Sequence, residues 1–506
     1  MMRIHQCKHF LFVAVILFLL TFSLNAQHMS FTKTTFDNAQ ESFESEDYKD
    51  ALYEFQKLYN AGKTNAHICY KIGMCYLNLQ GQEVKAIPYL EKAIKNISAK
   101  FDDKQITETH APTHALYYLG NAYRINNELD KALAVYDKFT KTEGFEEVYN
   151  KKMVDKEIKS CQRAKVIYDK PVGVKFEHLG EPINTAENNY NAVVSANGKV
   201  MAFMRDLKFY SAIMVSFNSD NQWSDPLNIN SQVVSDGDFY VSSLSYDGTE
   251  LYLVKKNRVK RLFSGGEATE GGSFSGDIYV SKFSNGRWAK AMPLNNNINT
   301  SHNESHASIS PDGKTLYFSS DRRGGEGKMD IYLSTRNAGD NWGPAMNLGP
   351  IINTSDDEAT PFISSDGTTL YFSSKGHFNM GGYDIFCSRR LANGWTEPVN
   401  IGFPLNTTNN DLFFAPLNAN IAYFAKIWPE GSGNKNIFKV FLHPDSLETK
   451  SIGEKETDFF EKNFTIKVCK TSDSSPVIVI RYDKELHQFL VSDPENYKLV
   501  IEDIGK

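Results

Sequence analysis

Ser310-Pro311-Asp312-Gly313-Lys314-Thr315-Leu316-Tyr317-Phe318-Ser319-Ser320 returns nearly unchanged as Ser364-Ser365-Asp366-Gly367-Thr368-Thr369-Leu370-Tyr371-Phe372-Ser373-Ser374, and these two stretches decide the fold. An Asp-Gly pair predicts a tight hairpin: glycine adopts positive φ without a clash, and the aspartate accepts backbone hydrogen bonds. Asp312 and Asp366 are therefore read as fold residues. The aromatic and aliphatic run after each turn predicts a strand buried between neighbouring sheets.

Working outward, earlier copies run through Asn197-Gly198 and Asp247-Gly248, and the sentence is written five times between Val172 and about Leu442. A third strand follows each copy, at Ser211-Ala212-Ile213, Asp277-Ile278-Tyr279, Asp330-Ile331-Tyr332, Asp384-Ile385-Phe386 and Asn436-Ile437-Phe438. A fourth ends around Trp223, Trp288, Trp342 and Trp395, each with a proline shortly after. Four strands recurring at intervals of about 50 to 65 residues describe the blades of a β-propeller, and five copies predict five blades. The last copy stops after Phe438-Lys439-Val440 without a tryptophan, while Val174 to Gly180 precedes the first copy unassigned. The N-terminal strand is thus expected to close the last blade. The long interval from Gly248 to Gly313 leaves room for a divergent element within Lys255 to Ser275.

Residues 31–168 carry a helical period instead, with little proline. Ala39, Gly73 and Gly120 mark close helix approaches, and Ala51, Ala86 and Ala132 the matching place on the next helix. Phe55 and Leu58, Leu90 and Ala93, and Tyr136 and Phe139 follow on one face. Ala39 and Gly73 are separated by about 34 residues, the period of the tetratricopeptide repeat, which this pattern resembles. The third unit is displaced by an insertion near Ser98 to Pro112, and a final helix is expected from about Tyr149 to Tyr168. The resemblance implies a short superhelix with a concave surface for a peptide or protein. The whole chain is read as α then β: signal peptide 1–26, tetratricopeptide domain 31–168, five-bladed propeller 172–442, and a linker with a short β-rich tail over 443–506.

Arg3 and Lys8 ahead of the apolar run Phe10 to Leu20, with Ser23 and Ala26 after it, read as a secretory signal cleaved between Ala26 and Gln27. No later run approaches the roughly 18 residues needed to span a bilayer, so no transmembrane segment is expected after cleavage. The formal charge of −6 and the lack of a basic stripe argue against nucleic acid. Removing the signal with Cys7 leaves Cys69, Cys75, Cys161, Cys387 and Cys469, an odd set without close pairs, so no disulfide framework is expected. Cys69 and Cys75 read as buried helix residues.

Ser-Pro-Asp-Gly-Lys-Thr-Leu-Tyr-Phe-Ser-Ser-Asp-Arg at Ser310 to Arg322, followed by Asp330-Ile331-Tyr332, resembles the WD-repeat-like propeller of TolB-type proteins over about half of the chain. The order of signal, repeats and propeller, with Tyr117-Tyr118-Leu119-Gly120-Asn121-Ala122-Tyr123 and the Ile-Asn-Thr links at Ile183, Ile298 and Ile352, also resembles Bacteroidetes envelope proteins, including a component of the type IX secretion and gliding apparatus. That component implies a regulatory-like sandwich and an OmpA-like peptidoglycan-binding domain. Here a β-like stretch from Phe464 to Ile501 stands instead, and anchoring to peptidoglycan by that route is not expected. Two repeat domains with broad binding surfaces, joined behind an export signal and without a convergent acid, base and nucleophile, point to a non-catalytic scaffold in the periplasm or on the periplasmic side of the outer membrane, with envelope proteins as partners. The alternative is a carbohydrate-binding or carbohydrate-processing propeller beside a glycan-uptake system.

No catalytic, cofactor or metal assignment follows from the residues. Gly272-Ser273-Phe274-Ser275-Gly276 has phenylalanine where a nucleophile elbow needs serine. His302 and His306 lie in an extended link, where a period of two puts both on one side without a third ligand, and a solvated loop is the preferred reading. Asp356-Asp357-Glu358 lacks the alternating oxygen ligands of a calcium loop. Thr335 to Trp342 resembles the hairpin-bracing Asp-box of sialidase-like propellers, a structural motif. Asp321-Arg322-Arg323 is the candidate partner-binding loop, since it follows a buried strand and carries two guanidinium groups towards an acidic partner or glycan.

Overall fold

The computed structural model describes residues 32–79, 81–258, 274–427 and 434–442, with the backbone of three further strands, Phe464–Lys470, Pro476–Arg481 and Tyr497–Asp503. The signal peptide expected over 1–26, its cleavage site at Ala26 and Gln27, and residues 259–273 of the long blade interval lie outside the described residues.

Helices α1 (residues 32–44), α2 (Tyr48–Asn60), α3 (Ala66–Leu77), α4 (Ile87–Ala93), α5 (Ala115–Ile125), α6 (Leu129–Thr140), α7 (Phe145–Val148) and α8 (Lys151–Tyr168) form the N-terminal part. The carbonyl oxygen of the Asn65 side chain caps α3 by accepting from Ile68 N at 3.0 Å, satisfying one of the amides a helix start leaves unpaired. The small residues do what close approach requires. A Cβ at Gly73 would lie 2.6 Å from Leu90 Cγ, and one at Gly120 would run into the Tyr136 ring. Ala51, Phe55, Leu58, Leu90, Ala93, Tyr136 and Phe139 are all buried on the packed faces. Cys69 and Cys75 are buried in α3, and burial pushes the Cys75 thiol up to about 12. The insertion between the second and third units is pinned by a short parallel pairing of Ile97–Ser98 with Ala111–Pro112.

The strands form five sheets around one axis. Blade 1 consists of Asn189–Val194, Val200–Asp206, Ser211–Ser219 and Gln222–Trp223. Blade 2 consists of Phe239–Leu244, Glu250–Arg258, Phe274–Ser284 and Arg287–Trp288. Blade 3 runs Glu304–Ile309, Thr315–Ser320, Asp330–Thr335 and Met346–Asn347. Blade 4 runs Glu358–Ile363, Thr369–Ser374, Asp384–Leu391 and Gly394–Trp395. In blade 5, Ala415–Asn418, Ile421–Ile427 and Lys435–Leu442 are completed by Val174–His178, which sets Phe176 opposite Val440. The N-terminal strand closes the ring, and the long second interval is an extended second-to-third hairpin whose strands reach Arg258 and Phe274.

Two devices recur. At the hairpins, Asp312 Oδ1 accepts from Ser310 Oγ at 2.6 Å and Lys314 N at 3.0 Å, while Gly313 sits at φ +69°. On the opposite face, the asparagine of each inter-blade link grips the third strand: Asn184, Asn230, Asn299, Asn353 and Asn406 accept through Oδ1 from the backbone N–H of Ile437, Ile213, Ile278, Ile331 and Ile385 at 2.7–2.8 Å. Four of them donate Nδ2 back to the carbonyl of the same isoleucine, at 2.9, 2.9, 3.0 and 2.8 Å for Asn184, Asn299, Asn353 and Asn406. Isoleucines before these asparagines, such as Ile298 and Ile352, are fully buried. The outer edge is broken rather than one fourth strand: in blades 1, 2 and 4 the tryptophan piece and a second short piece both pair with the third strand. Pro293 is tolerated in such a piece because its ring faces an unpaired edge. Between blades 3 and 4, Tyr317, Ile331, Ile352, Phe372, Phe386 and Trp395 form one apolar seam. Each large side chain buried there stabilises by roughly 1.5–3 kcal/mol.

The helical part is fastened to the face carrying the asparagine links. Arg124, at the end of α5, is buried: its Nε pairs with Glu157 of α8 at 3.0 Å, and its Nη1 donates to the Thr408 carbonyl. Ser160 donates to Asn379 Oδ1 at 2.9 Å, Lys156 pairs with Asp356 at 2.8 Å, and the Tyr168 and Phe403 rings lie 4.4 Å apart. Met380 of blade 4 belongs to the core of the helices. No helix among the described residues is long and apolar enough to cross a membrane.

Residues 443–506 form a separate unit, whose described strands make an antiparallel sheet in the order Pro476–Arg481, Phe464–Lys470, Tyr497–Asp503.

Candidate functional site

The innermost strand of each blade begins on the face of the links and ends at the hairpins. Just after its start the pairing slips: between Tyr190 and Val193, between Ser305 and Ser308, and between Ala359 and Phe362. Asn191, His306 and Thr360 take positive φ within these slips (+50°, +49° and +47°), and Phe413 does so at the matching place in blade 5 (+61°). A bulge re-aims a side chain, and here it turns those of blades 1, 3 and 4 inward, with Phe413 at the matching place in blade 5. Tyr240 takes the position in blade 2. The His306 ring lies 5.1 Å from that of Phe413 and 5.7 Å from that of Tyr240, and Ser305 Oγ holds Nδ1 at 2.9 Å.

Asn191, Tyr240, His306 and Phe413 form the floor of a funnel of about 690 Å³ that opens on the face of the links. Beyond the floor the axis narrows to a void of about 10 Å³ bounded by His306, Thr360 and Phe413. Tyr190, Phe239 and Phe424 line the funnel wall, with Asn409, Asp238, Asp411, Lys426 and Lys435.

Two residues before each floor residue stands a polar side chain that serves the scaffold. Buried Glu304 accepts from Thr300 N at 2.8 Å, Thr300 Oγ1 at 2.7 Å and Ser320 Oγ at 2.9 Å. Glu358 repeats this with Thr354 N, Thr354 Oγ1 and Ser374 Oγ, and burial raises its pKa. Asp411 accepts from Thr407 N at 2.6 Å and Thr407 Oγ1 at 3.1 Å, and burial pushes it up to about 7. Burial lowers the pKa of both Lys426 and Lys435.

The residues singled out in the sequence fall differently. Of Asp321-Arg322-Arg323, Arg322 is not presented to a partner. Its guanidinium donates to the Ile298 carbonyl at 2.7 Å, pairs with Glu304 at 3.3 Å and lies over the Phe318 and Tyr332 rings. Arg205 makes the equivalent contacts in blade 1, donating to Asn189 Oδ1 and the Ile183 carbonyl. Buried link carbonyls need a donor, and an arginine at the strand end supplies it. Asp321 and Arg323 remain exposed, Asp321 accepting from Asn303 N at 2.7 Å.

His302 and His306 are not on one side of a solvated link. His302 faces Asp321, whereas the bulge turns His306 to the axis. Asp356, Asp357 and Glu358 turn to separate partners, Lys156, Lys375 and the Thr354–Ser374 pair. Phe274 begins a strand rather than a nucleophile turn, and Gly272 and Ser273 lie outside the described residues. Arg336 pairs with Glu250 at 2.8 Å and bridges to Trp342, bracing the hairpin.

What repeats from copy to copy does not mark the floor. Aligning the inner strands on Asn189, Glu304, Glu358 and Asp411 brings Asn191, His306, Thr360 and Phe413 into one column. Variation in that column, inside an otherwise repeated sentence, is the signal.

No protein-family model and no curated protein matches the sequence. Among solved structures the chain is similar to TolB from Acinetobacter baumannii, at 17% identity and a TM-score of 0.31 over 51% of this chain and 54% of that one, about half its length. It is similar to an α-L-arabinofuranosidase from Podospora anserina, solved with cellotriose, at 8% identity and a TM-score of 0.34 over 54% of this chain and 98% of that one. A protein of unknown function from Dyadobacter fermentans is 13% identical, with a TM-score of 0.32, over 54% of this chain and 100% of that one. At these scores and identities the likenesses assign the chain neither a family nor an activity.

Proposed function

We propose that this chain is a non-catalytic interaction scaffold of the cell envelope, exported by its N-terminal signal. Its tetratricopeptide-type helices take one protein partner and the funnel face of its propeller another. The observation that carries the reading is the junction. Arg124, Ser160 and Met380 join helices and propeller through buried contacts, so two surfaces suited to partners belong to one body. The inner-strand carboxylates support it as well, since Glu304, Glu358 and Asp411 are engaged by threonine and serine hydroxyls and backbone N–H groups within the scaffold. The exposed Asp321 and Arg323 add a charged contact on the funnel face. The order of domains supports placement in a type IX secretion or gliding apparatus, at the periplasmic side of the outer membrane.

The test is affinity purification of the tagged mature chain from cross-linked envelopes, with partners identified by mass spectrometry. Secretion or gliding components are the expected recovery. Recovery of nothing sinks the scaffold reading. Recovery of glycan-uptake proteins alone, with hydrolysis or binding of a glycan by the purified chain, would establish the carbohydrate-processing propeller in its place.

A further inference from the structure

The funnel wall carries two cations that touch no carboxylate, although the Asp411 carboxyl acts on both and Glu83 and Asp206 act on one of them, Lys435, from further off. Lys426 and Lys435 come from the second and third strands of blade 5 and both line the cavity. Among the described residues neither makes an ion pair, although Lys426 is propped 3.7 Å over the Phe176 ring. Of the acids near them, Asp238 pairs with Lys255 at 3.1 Å, Asp411 is held by Thr407, Asp206 accepts from Tyr190 and Ser211, and Glu83 reaches Lys435 only through longer-range attraction. A partly buried ammonium without a contacting counter-ion gains from an incoming carboxylate more than an exposed one does.

The remaining wall matches a peptide. Tyr190, Phe239, Tyr240 and Phe413 supply apolar area around the floor, and the Asn191 side chain, 8% exposed, adds an amide beside it. On the rim, Phe209 is 86% exposed in the loop that leads to the cavity residue Ser211. A volume of about 690 Å³ lies within the roughly 300–1,000 Å³ usual for ligand pockets. We infer that the funnel binds an extended peptide segment of a protein partner, placing an acidic side chain between Lys426 and Lys435 and a neighbouring aromatic or aliphatic side chain on the floor. This rests on the reading of the funnel face as a partner surface and names the chemistry of that partner.

The test uses the whole mature chain and a set of fluorescein-labelled, end-blocked hexapeptides pairing Phe or Leu with Asp or Glu, each with its Asn or Gln counterpart. Fluorescence anisotropy should show binding of acidic members and at least about tenfold weaker binding of their amide counterparts, an effect of about 1.4 kcal/mol. Lys426→Met and Lys435→Met should each remove that preference while leaving the melting temperature unchanged. Phe413→Ala should weaken acidic and amide peptides alike. Failure of every peptide to bind, equal binding of acid and amide, or displacement of the peptide only by uronic-acid oligosaccharides overturns the inference. The Lys426→Met, Lys435→Met double variant is also taken through the envelope purification. If it recovers the same partners as the wild type, the inference fails and the scaffold stands; if neither recovers a partner, the scaffold reading fails.

Discussion

Asp411 makes the stability of this protein depend on pH in a direction opposite to that of a salt-bridged carboxylate. Burial raises its pKa from 3.8 to about 7 despite the hydrogen bonds from Thr407. The folded chain therefore keeps a proton that the unfolded chain has released, and stability falls as pH rises from about 4 to about 7. A shift of about three pH units, at about 1.4 kcal/mol each, sets a ceiling on the order of 4 kcal/mol for the difference between pH 4 and pH 8. Asp384, also buried, has its pKa raised by burial and then by the Asp411 charge, so its contribution has the same sign. Asp411→Asn keeps an acceptor for Thr407 and removes the charge. Blade 1 already carries an amide at this position, where Asn189 is fully buried and accepts from Arg205. Urea unfolding at pH 5 and pH 8 should show the wild type losing stability at the higher pH and the variant losing distinctly less. Identical pH slopes in the two proteins would refute the argument.

Asn353→Leu removes the acceptor for Ile331 N and the donor to its carbonyl at a site 1% exposed, and should cost about 2–4 kcal/mol in urea unfolding, against no change for Arg323→Ala. Gly120→Ala puts a methyl group into the Tyr136 ring and should lower stability by about 1–3 kcal/mol, read as a lower melting temperature. Arg124→Leu leaves Glu157 without its partner beneath the helices and should cost about 3–5 kcal/mol, with faster proteolysis between Tyr168 and Val172. Adding Glu157→Leu should restore much of that loss, whereas a double variant no more stable than the single one would show that the ion pair is not what holds the junction.

The blades were legible because their signals are local. Asp312-Gly313 and Asp366-Gly367 specify a hairpin from adjacent residues, and the alternation after them specifies which side is buried. The orphan strand at Val174 was recoverable by counting, because a ring of repeats exposes a missing member. In the helical part, Gly73 and Gly120 announced close contacts that Leu90 and Tyr136 fill. The site was less legible because its residues meet only in three dimensions. His306 looks like a link residue until the slip after Ser305 turns it inward, and nothing in its neighbours marks a positive φ. Arg322 resembles a surface arginine until Glu304 and the Ile298 carbonyl claim it from the preceding link. Lys426 and Lys435 belong to different strands of a hairpin, and only the closed ring brings them into one cavity with Tyr190 and His306.

Closure by Val174–His178 also orders events in time. This strand is synthesised before any blade is complete, and its partner Lys435–Leu442 only after the other four. The helices can form from contacts near in sequence while the ring is still an open row of sheets with two bare edges, ready to pair with another chain. A route that delivered the chain through a membrane pore unfolded would hold those edges apart until both had arrived in the same compartment. The seam that makes the propeller hardest to complete during synthesis is therefore the one best suited to assembly after passage.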